Sequence, residues 1–258
     1  MRRRMAGQIW ATVGALLILV SPARAGELEA MVSIAMRGAV AELAAAFEKE
    51  TGHKIKATVA APGEIVAKIR GGQHADIVVL TTGALAGLKD KGLVRRGTRV
   101  AMASTGFGIA VRSGDPAPDI STPEALRAAL VAADRVIYND PKVTPSGAHF
   151  LRVAERLGVA DQVKAKSVVV AAGANIAALT ADTSLGKVLA VSVIVEVRGH
   201  PGAKLVGPLP GDLQSPLPYA TVLGANPVDV KAAEAFLKWL GSAEAKKAYA
   251  AAGFDVTP

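Results

Sequence analysis

The residues best placed to do chemistry in this chain lie in one stretch, Tyr138-Asn139-Asp140-Pro141-Lys142-Val143-Thr144-Pro145-Ser146-Gly147-Ala148-His149-Phe150. Before it, Arg135-Val136-Ile137-Tyr138 reads as the end of a buried strand. After it, Phe150, Val153, Ala154 and Leu157 recur at i, i+3, i+4 and i+7, a helical stripe closed by Gly158. Ser146 is placed to cap that helix, and Gly147 lets another atom come close to the backbone. A helix start carries N–H groups without intrahelical partners at the positive end of its dipole, so it can hold a small anion. The same residues also suit an ordinary capped helix. What separates the two readings is whether other anion-holding groups converge on this one.

A sheet has to aim such a helix, and the chain supplies strand–helix alternation from its start. Leu28 to Ile34 reads as a strand and Ala35-Met36-Arg37-Gly38 as a turn. A helix follows with Val40, Leu43, Ala44 and Phe47 on one face and Thr51-Gly52 at its end. Ile55 to Ala61 is a second strand. Pro62-Gly63 opens a helix with Ile65, Val66 and Ile69. Ala75-Asp76-Ile77-Val78-Val79-Leu80 has the continuous apolar run of a buried parallel strand, and Thr81-Thr82-Gly83 starts a short helix. The glycine-flanked strand from Gly106 to Arg112 reads as a crossing into a second lobe. That lobe begins its helices with the capping box Ser121-Thr122-Pro123-Glu124. Ser167 to Val170 and Ala203 to Val206 are further strands, Gly173-Ala174-Asn175 opens a helix, and Lys187 to Val197 is part strand and part helix. Tyr219 to Leu223 reads as a return strand, followed by two amphipathic helices, from about Pro227 to Leu240 and from Ser242 to Gly253. The pattern predicts an α/β protein of two lobes, each a mostly parallel sheet flanked by helices, with a ligand cleft between them. Residues 26–104 and 218–258 would form the first lobe and residues 105–217 the second.

The N-terminus reads as an export signal. Arg2, Arg3 and Arg4 form a basic region, Ala11 to Val20 an apolar one, and Ser21-Pro22-Ala23-Arg24-Ala25 ends in a small-x-small cleavage pattern. Residues 1–25 are therefore expected to be removed, leaving a soluble periplasmic protein. The absence of cysteine excludes disulfides and thiolate chemistry. The histidines His53, His74, His149 and His200 are scattered, so neither a metal nor another cofactor is expected. Four of the basic residues behind the net charge of +8 lie in the leader, so the mature chain is only mildly basic. With few aromatics, it lacks the surface of a nucleic-acid binder, and a positive balance favours an anionic ligand.

The order of these motifs resembles the type II periplasmic substrate-binding proteins of ABC importers, in particular the molybdate-binding family. The blocks that carry the likeness are Ser33-Ile34-Ala35-Met36-Arg37-Gly38-Ala39-Val40, Gly71-Gly72-Gln73-His74-Ala75-Asp76-Ile77-Val78-Val79, Asn139-Asp140-Pro141 with Pro145-Ser146-Gly147, and Ala251-Ala252-Gly253-Phe254. The resemblance implies a monomer that takes a small anionic ligand and hands it to a membrane permease. It also implies a site made of hydroxyls and helix-start N–H groups. Here Ala35 stands at the family's first Ser, Ala61-Pro62-Gly63 at its Ser-rich turn, and Ser192 or Val193 near its Tyr.

The expected ligand-binding set is therefore Ala35, Met36, Arg37, Gly63, Glu64, Thr81, Ser146, Gly147, Asn175 and Ser192. Arg37 is suited to fork a carboxylate. Thr81 and Thr82 follow a strand's carboxyl end, where open α/β sheets bind ligands. Ser104, Thr105 and Tyr219 sit at the expected hinge. The ligand is either a molybdate-like oxyanion or an organic carboxylate. The alternative activity is a tricarboxylate isomerase resembling aconitate isomerase on the same scaffold. It would need a general base, for which Glu64, Asp140 and His149 are the visible candidates.

Overall fold

The computed structural model describes residues 26–181, 186–198 and 200–256, so the expected leader, residues 1–25, lies outside the described residues. The first half of the chain contains β1 (Glu27–Ser33), α1 (Arg37–Thr51), β2 (Lys54–Ala60), α2 (Pro62–Arg70), β3 (Ile77–Thr81), α3 (Thr82–Lys89), β4 (Val100–Thr105), β5 (Phe107–Arg112), α4 (Pro123–Ala132) and β6 (Arg135–Asn139). The second contains α5 (Pro145–Arg156), α6 (Ala160–Ala165), β7 (Ser167–Val170), α7 (Asn175–Ala181), β8 (Val188–Val193), α8 (Ile194–Val197), β9 (Ala203–Pro208), β10 (Leu217–Leu223), α9 (Val230–Leu240) and α10 (Ala243–Ala251).

Two five-stranded mixed sheets result, in the orders β2-β1-β3-β10-β4 and β7-β6-β8-β5-β9. In each sheet three strands pair in parallel. The antiparallel member, β10 in one and β5 in the other, is a strand that enters directly from a crossing between the lobes. The central strands β3 and β8 are buried along their whole length, which is why their sequences are continuously apolar.

The two crossings are tied to each other. Gln214 accepts the Phe107 N–H at 2.9 Å and donates to the Phe107 carbonyl at 2.8 Å, against Gly106, where any side chain would collide with it. The terminal helices pack on α1 and the sheet it covers. Phe236 of α9 meets Phe47 of α1 at 5.0 Å between ring centres, and the Trp239 indole donates to the Leu43 carbonyl at 3.0 Å. The motif around Asp76 is structural. Its buried carboxylate accepts the Glu29 and Val228 N–H groups, each at 2.7 Å, and so joins β1 to the segment before α9.

Three local expectations change. Thr144, not Ser146, caps α5: its hydroxyl accepts the Gly147 N–H, because Pro145 fits the first helical position and moves Ser146 to the second. Thr122 likewise caps α4, with Pro123 after it, which displaces the capping box from Ser121. Ser104 and Thr105, read as hinge, are the last residues of the edge strand β4 on β10, and α6 goes unread because six residues carry too little periodicity.

Candidate functional site

Strands of an open α/β sheet present their carboxyl ends to ligands. Here both sheets do so toward each other. β1 ends at Ser33, β2 runs into the start of α2, β6 ends at Asn139, β7 leads to Gly173, and β8 runs into α8. The residues at these ends, with Tyr219 of β10, enclose a space of about 20 Å³ lined by Ser33, Pro62, Asn139, Ser146, Glu196 and Tyr219, among others. That volume suits a single water rather than a polyatomic anion.

The lobes are closed around it. The Gly63 N–H donates to the Val143 carbonyl across the gap at 3.2 Å, and Arg198 donates to the Gly253 carbonyl at 2.9 Å. Outside this space lies a cavity of about 550 Å³ that shares Ile34, Ala35, Gly173 and Glu196 with it and adds Arg37, Arg198 and His200.

The polar groups of this cleft are unusual for a protein interior. The Ser33 hydroxyl and the Asn139 side-chain oxygen are buried without hydrogen-bond partners among the described residues. Such groups cost about 1–3 kcal/mol when left unsatisfied, so they favour a polar occupant. A half-turn of the Asn139 amide presents its NH₂ to an anion instead.

Glu196 keeps part of its surface exposed, but protein surrounds its carboxyl group. Burial pushes its pKa up, against the Ser192 hydroxyl that donates to its Oε2 at 3.1 Å and against the attraction of Arg37. Burial also pushes the Tyr219 hydroxyl well up, and negative Glu196 adds to this. The nearby Ser33 hydroxyl acts the other way without reaching good hydrogen-bond geometry. Tyr219 is thus a neutral donor. Arg37 makes no hydrogen bond or ion pair with any described residue, and its side chain is exposed on the outer cavity.

The Glu196 shift has a sign that can be measured. Folding raises this pKa, so the stability it contributes is fully present below the ordinary carboxylate range and is lost as pH rises through the raised value. Glu196→Gln, which keeps an acceptor for Ser192, is expected to raise the melting temperature at about pH 8 and to change it little at about pH 4. A variant that melts lower than wild type at the higher pH would contradict the assignment.

The family model for bacterial extracellular solute-binding proteins matches residues 28–255, essentially every element described above. The chain belongs to that family. Among curated relatives of this solute-binding protein, an aconitate isomerase from Pseudomonas sp. is 29% identical over 95% of both chains. The molybdate-binding protein ModA of Rhodobacter capsulatus is 26% identical over 88% of this chain and 87% of its own. Among solved structures, the periplasmic molybdate-binding protein of Azotobacter vinelandii superposes with a TM-score of 0.73 at 19% identity, covering 90% of this chain and all of that one. That likeness shows the shared two-lobed fold.

Of the residues singled out from sequence, Ala35, Arg37 and Ser146 line the cleft. Ser192 reaches it through Glu196. Met36 is fully buried in the core, Thr81 caps α3, and the Asn175 amide donates to the Val191 carbonyl at 2.8 Å. Gly63 and Gly147 shape the cleft by lacking side chains, and Glu64 lies on neither lining. Sequence reasoning quoted Ser33 and Asn139 within motifs but left them out of the ligand-binding set, and it missed Glu196. Ser33 and Asn139 stand at strand ends, a signal that was available. Glu196 follows an apolar run and carried none.

At Gly63 a Cβ would lie 2.9 Å from the Val143 Cα, a contact that exists only when the lobes are shut. Alanine there favours α2 by about 0.5–1 kcal/mol and opposes closure by about 1–3 kcal/mol. Gly63→Ala is therefore expected to leave the melting temperature unchanged or slightly raised while weakening ligand binding about tenfold. Unchanged affinity would mean that ligand does not require this closure.

Proposed function

We propose that this solute-binding protein captures a small organic polycarboxylate between its lobes in the periplasm, closes on it about the two crossings, and presents it as a monomer to the membrane permease of an ABC importer. The observation that carries the reading is the Arg37 guanidinium, which makes no hydrogen bond or ion pair with any described residue, on a cavity of about 550 Å³, with Arg198 and His200 on the same lining and Glu196 as the one acidic residue among the described residues that line it. A guanidinium matches a carboxylate in a two-point fork, and a second guanidinium on the same lining suits a ligand with more than one carboxylate. A tetrahedral oxyanion needs a compact ring of donors. Two of the positions where the family resemblance puts hydroxyls are taken here by Ala35 and Pro62, which line the inner space without any.

Calorimetry of the ligand-free protein against molybdate, tungstate, sulfate, phosphate, citrate and cis- and trans-aconitate tests this. Binding of tricarboxylates with no heat from the oxyanions is expected. Tight binding of molybdate and tungstate alone would overturn the ligand class. A second reading, isomerisation of such an acid on the same scaffold, is favoured by a specific feature, the Glu196 carboxyl group enclosed at the junction of the two cavities.

A further inference from the structure

The carboxylate-binding reading leaves one group of the cleft without a task. A receptor for anions gains nothing from an acidic side chain on the lining. Glu196 nonetheless sits where the inner space and the outer cavity meet, facing Arg37 from the other lobe. Its Oε2 accepts the Ser192 hydroxyl, which fixes the carboxyl plane, and its Oε1 accepts no hydrogen bond from any described residue. The bases that the sequence suggested are elsewhere. Asp140 accepts the Lys142 N–H at 2.8 Å in its own turn. His149 stacks on Phe107 at 4.7 Å with its Nε2 on the Leu213 carbonyl, and burial pushes its pKa down. Neither residue lines either cavity, and Glu64 does not.

Resting on the carboxylate-binding reading, we infer that Glu196 is the catalytic base of an allylic proton transfer on an unsaturated polycarboxylate held by Arg37. The substrate class is an acid in which a CH₂ group flanked by a carboxylate lies next to a C=C bond carrying a second carboxylate. The Glu196 carboxylate removes one proton from the CH₂ carbon. The C–H electron pair forms a new C=C bond to the neighbouring carbon, and the former C=C pair becomes charge delocalised over the allyl unit and its carboxylates. Glu196, now a carboxylic acid, returns the proton to the far allylic carbon. One C–H bond breaks and one forms, the double bond shifts by one position, and no oxidant or reductant is needed. The geometry of the new double bond follows from how the cleft holds the chain, so the same step interconverts cis and trans forms.

The surroundings suit both halves of the step. Burial makes the Glu196 carboxylate more basic than a free one, and closing the lobes excludes water that would quench the charge. Arg37 on α1, neutral Tyr219 on β10 and the Ser33 hydroxyl on β1 stand on the opposite lobe, where the developing negative charge needs donors. Arg198 and the titratable His200, on the same side as Glu196, complete the charged and titratable groups around it among the described residues.

The test uses trans-aconitate as probe, in D₂O, followed by proton NMR, with calorimetry in parallel. Wild type is expected to exchange the allylic hydrogens for deuterium and to form the cis isomer, with a rate that falls as pH drops through the raised Glu196 pKa. Glu196→Gln is expected to lose exchange and isomerisation by about 10²–10⁴-fold while keeping affinity within a few-fold. Glu196→Asp, which keeps the base but shortens its reach, should recover part of the rate. Wild type that binds the acid but exchanges no deuterium overturns the inference and leaves the receptor reading standing. Glu196→Gln exchanging at the wild-type rate also overturns it. Absence of any polycarboxylate binding removes the receptor reading and this step together.

Discussion

Gly147→Ala is expected to destabilise the protein by about 3 kcal/mol and to abolish measurable ligand binding. A Cβ at this position would lie 2.0 Å from the Asn139 carbonyl oxygen, 2.9 Å from the Pro141 nitrogen and 3.0 Å from the Pro141 Cα. All three are backbone atoms, so no side-chain rotation relieves the overlap. Either α5 lifts away from β6 or the Asn139-to-Pro141 turn rebuilds. Both movements displace Asn139 and Ser146, which line the inner space, so stability and binding fall together.

Gly83→Ala serves as the control. Gly83 lies in the first turn of α3, and a Cβ there meets nothing within 4 Å. It is expected to be neutral or to gain about 1 kcal/mol from helix propensity. Denaturant midpoints with unchanged m-values give the comparison. A Gly147→Ala protein within about 0.5 kcal/mol of wild type would show that α5 is not held against β6 as described.

Arg37→Ala is expected to weaken polycarboxylate binding by about 1.5–3 kcal/mol, roughly 10- to 150-fold, with little change in stability. Little stability rests on a side chain that is exposed and makes no hydrogen bond or ion pair with a described residue, so the loss falls on the ligand. Arg37 also attracts the ionised Glu196 and so holds its pKa down. Without it the Glu196 pKa climbs further, and the pH dependence of any Glu196-linked property shifts upward in the variant. Calorimetry across pH reads both effects. Equal loss of affinity for a neutral solute and a carboxylate, or an unmoved pH dependence, would show that Arg37 acts only by shaping the surface.

The strand–helix alternation could be read because it is a local property. β3 and β8 are buried along their length and must be apolar throughout, whereas α1 and α5 bury one face and must be striped. Gly52 and Gly158 end those segments in the left-handed conformation that glycine adopts without strain. The anion-favouring start of α5 was legible for the same reason, although the proline rule correctly applied would have placed the cap at Thr144. β4 was not, because its alanines, serine and threonine give little apolar contrast and its order comes from pairing with β10.

The cleft itself belongs to tertiary structure. Arg37 and Glu196 lie far apart in the chain; the turn after β1 marks Arg37, and nothing local marks Glu196. They meet because each stands just beyond the carboxyl end of a strand, and the two sheets turn those ends toward each other. By itself the sequence determined two α/β lobes with helix starts suited to an anion, since strand burial, helix striping and capping act between near neighbours. Only the tertiary structure decided that the Arg37 guanidinium and the enclosed Glu196 carboxyl group share one cleft. Their electrostatic coupling depends on distance through space and on exclusion of water, neither of which is set by spacing along the chain.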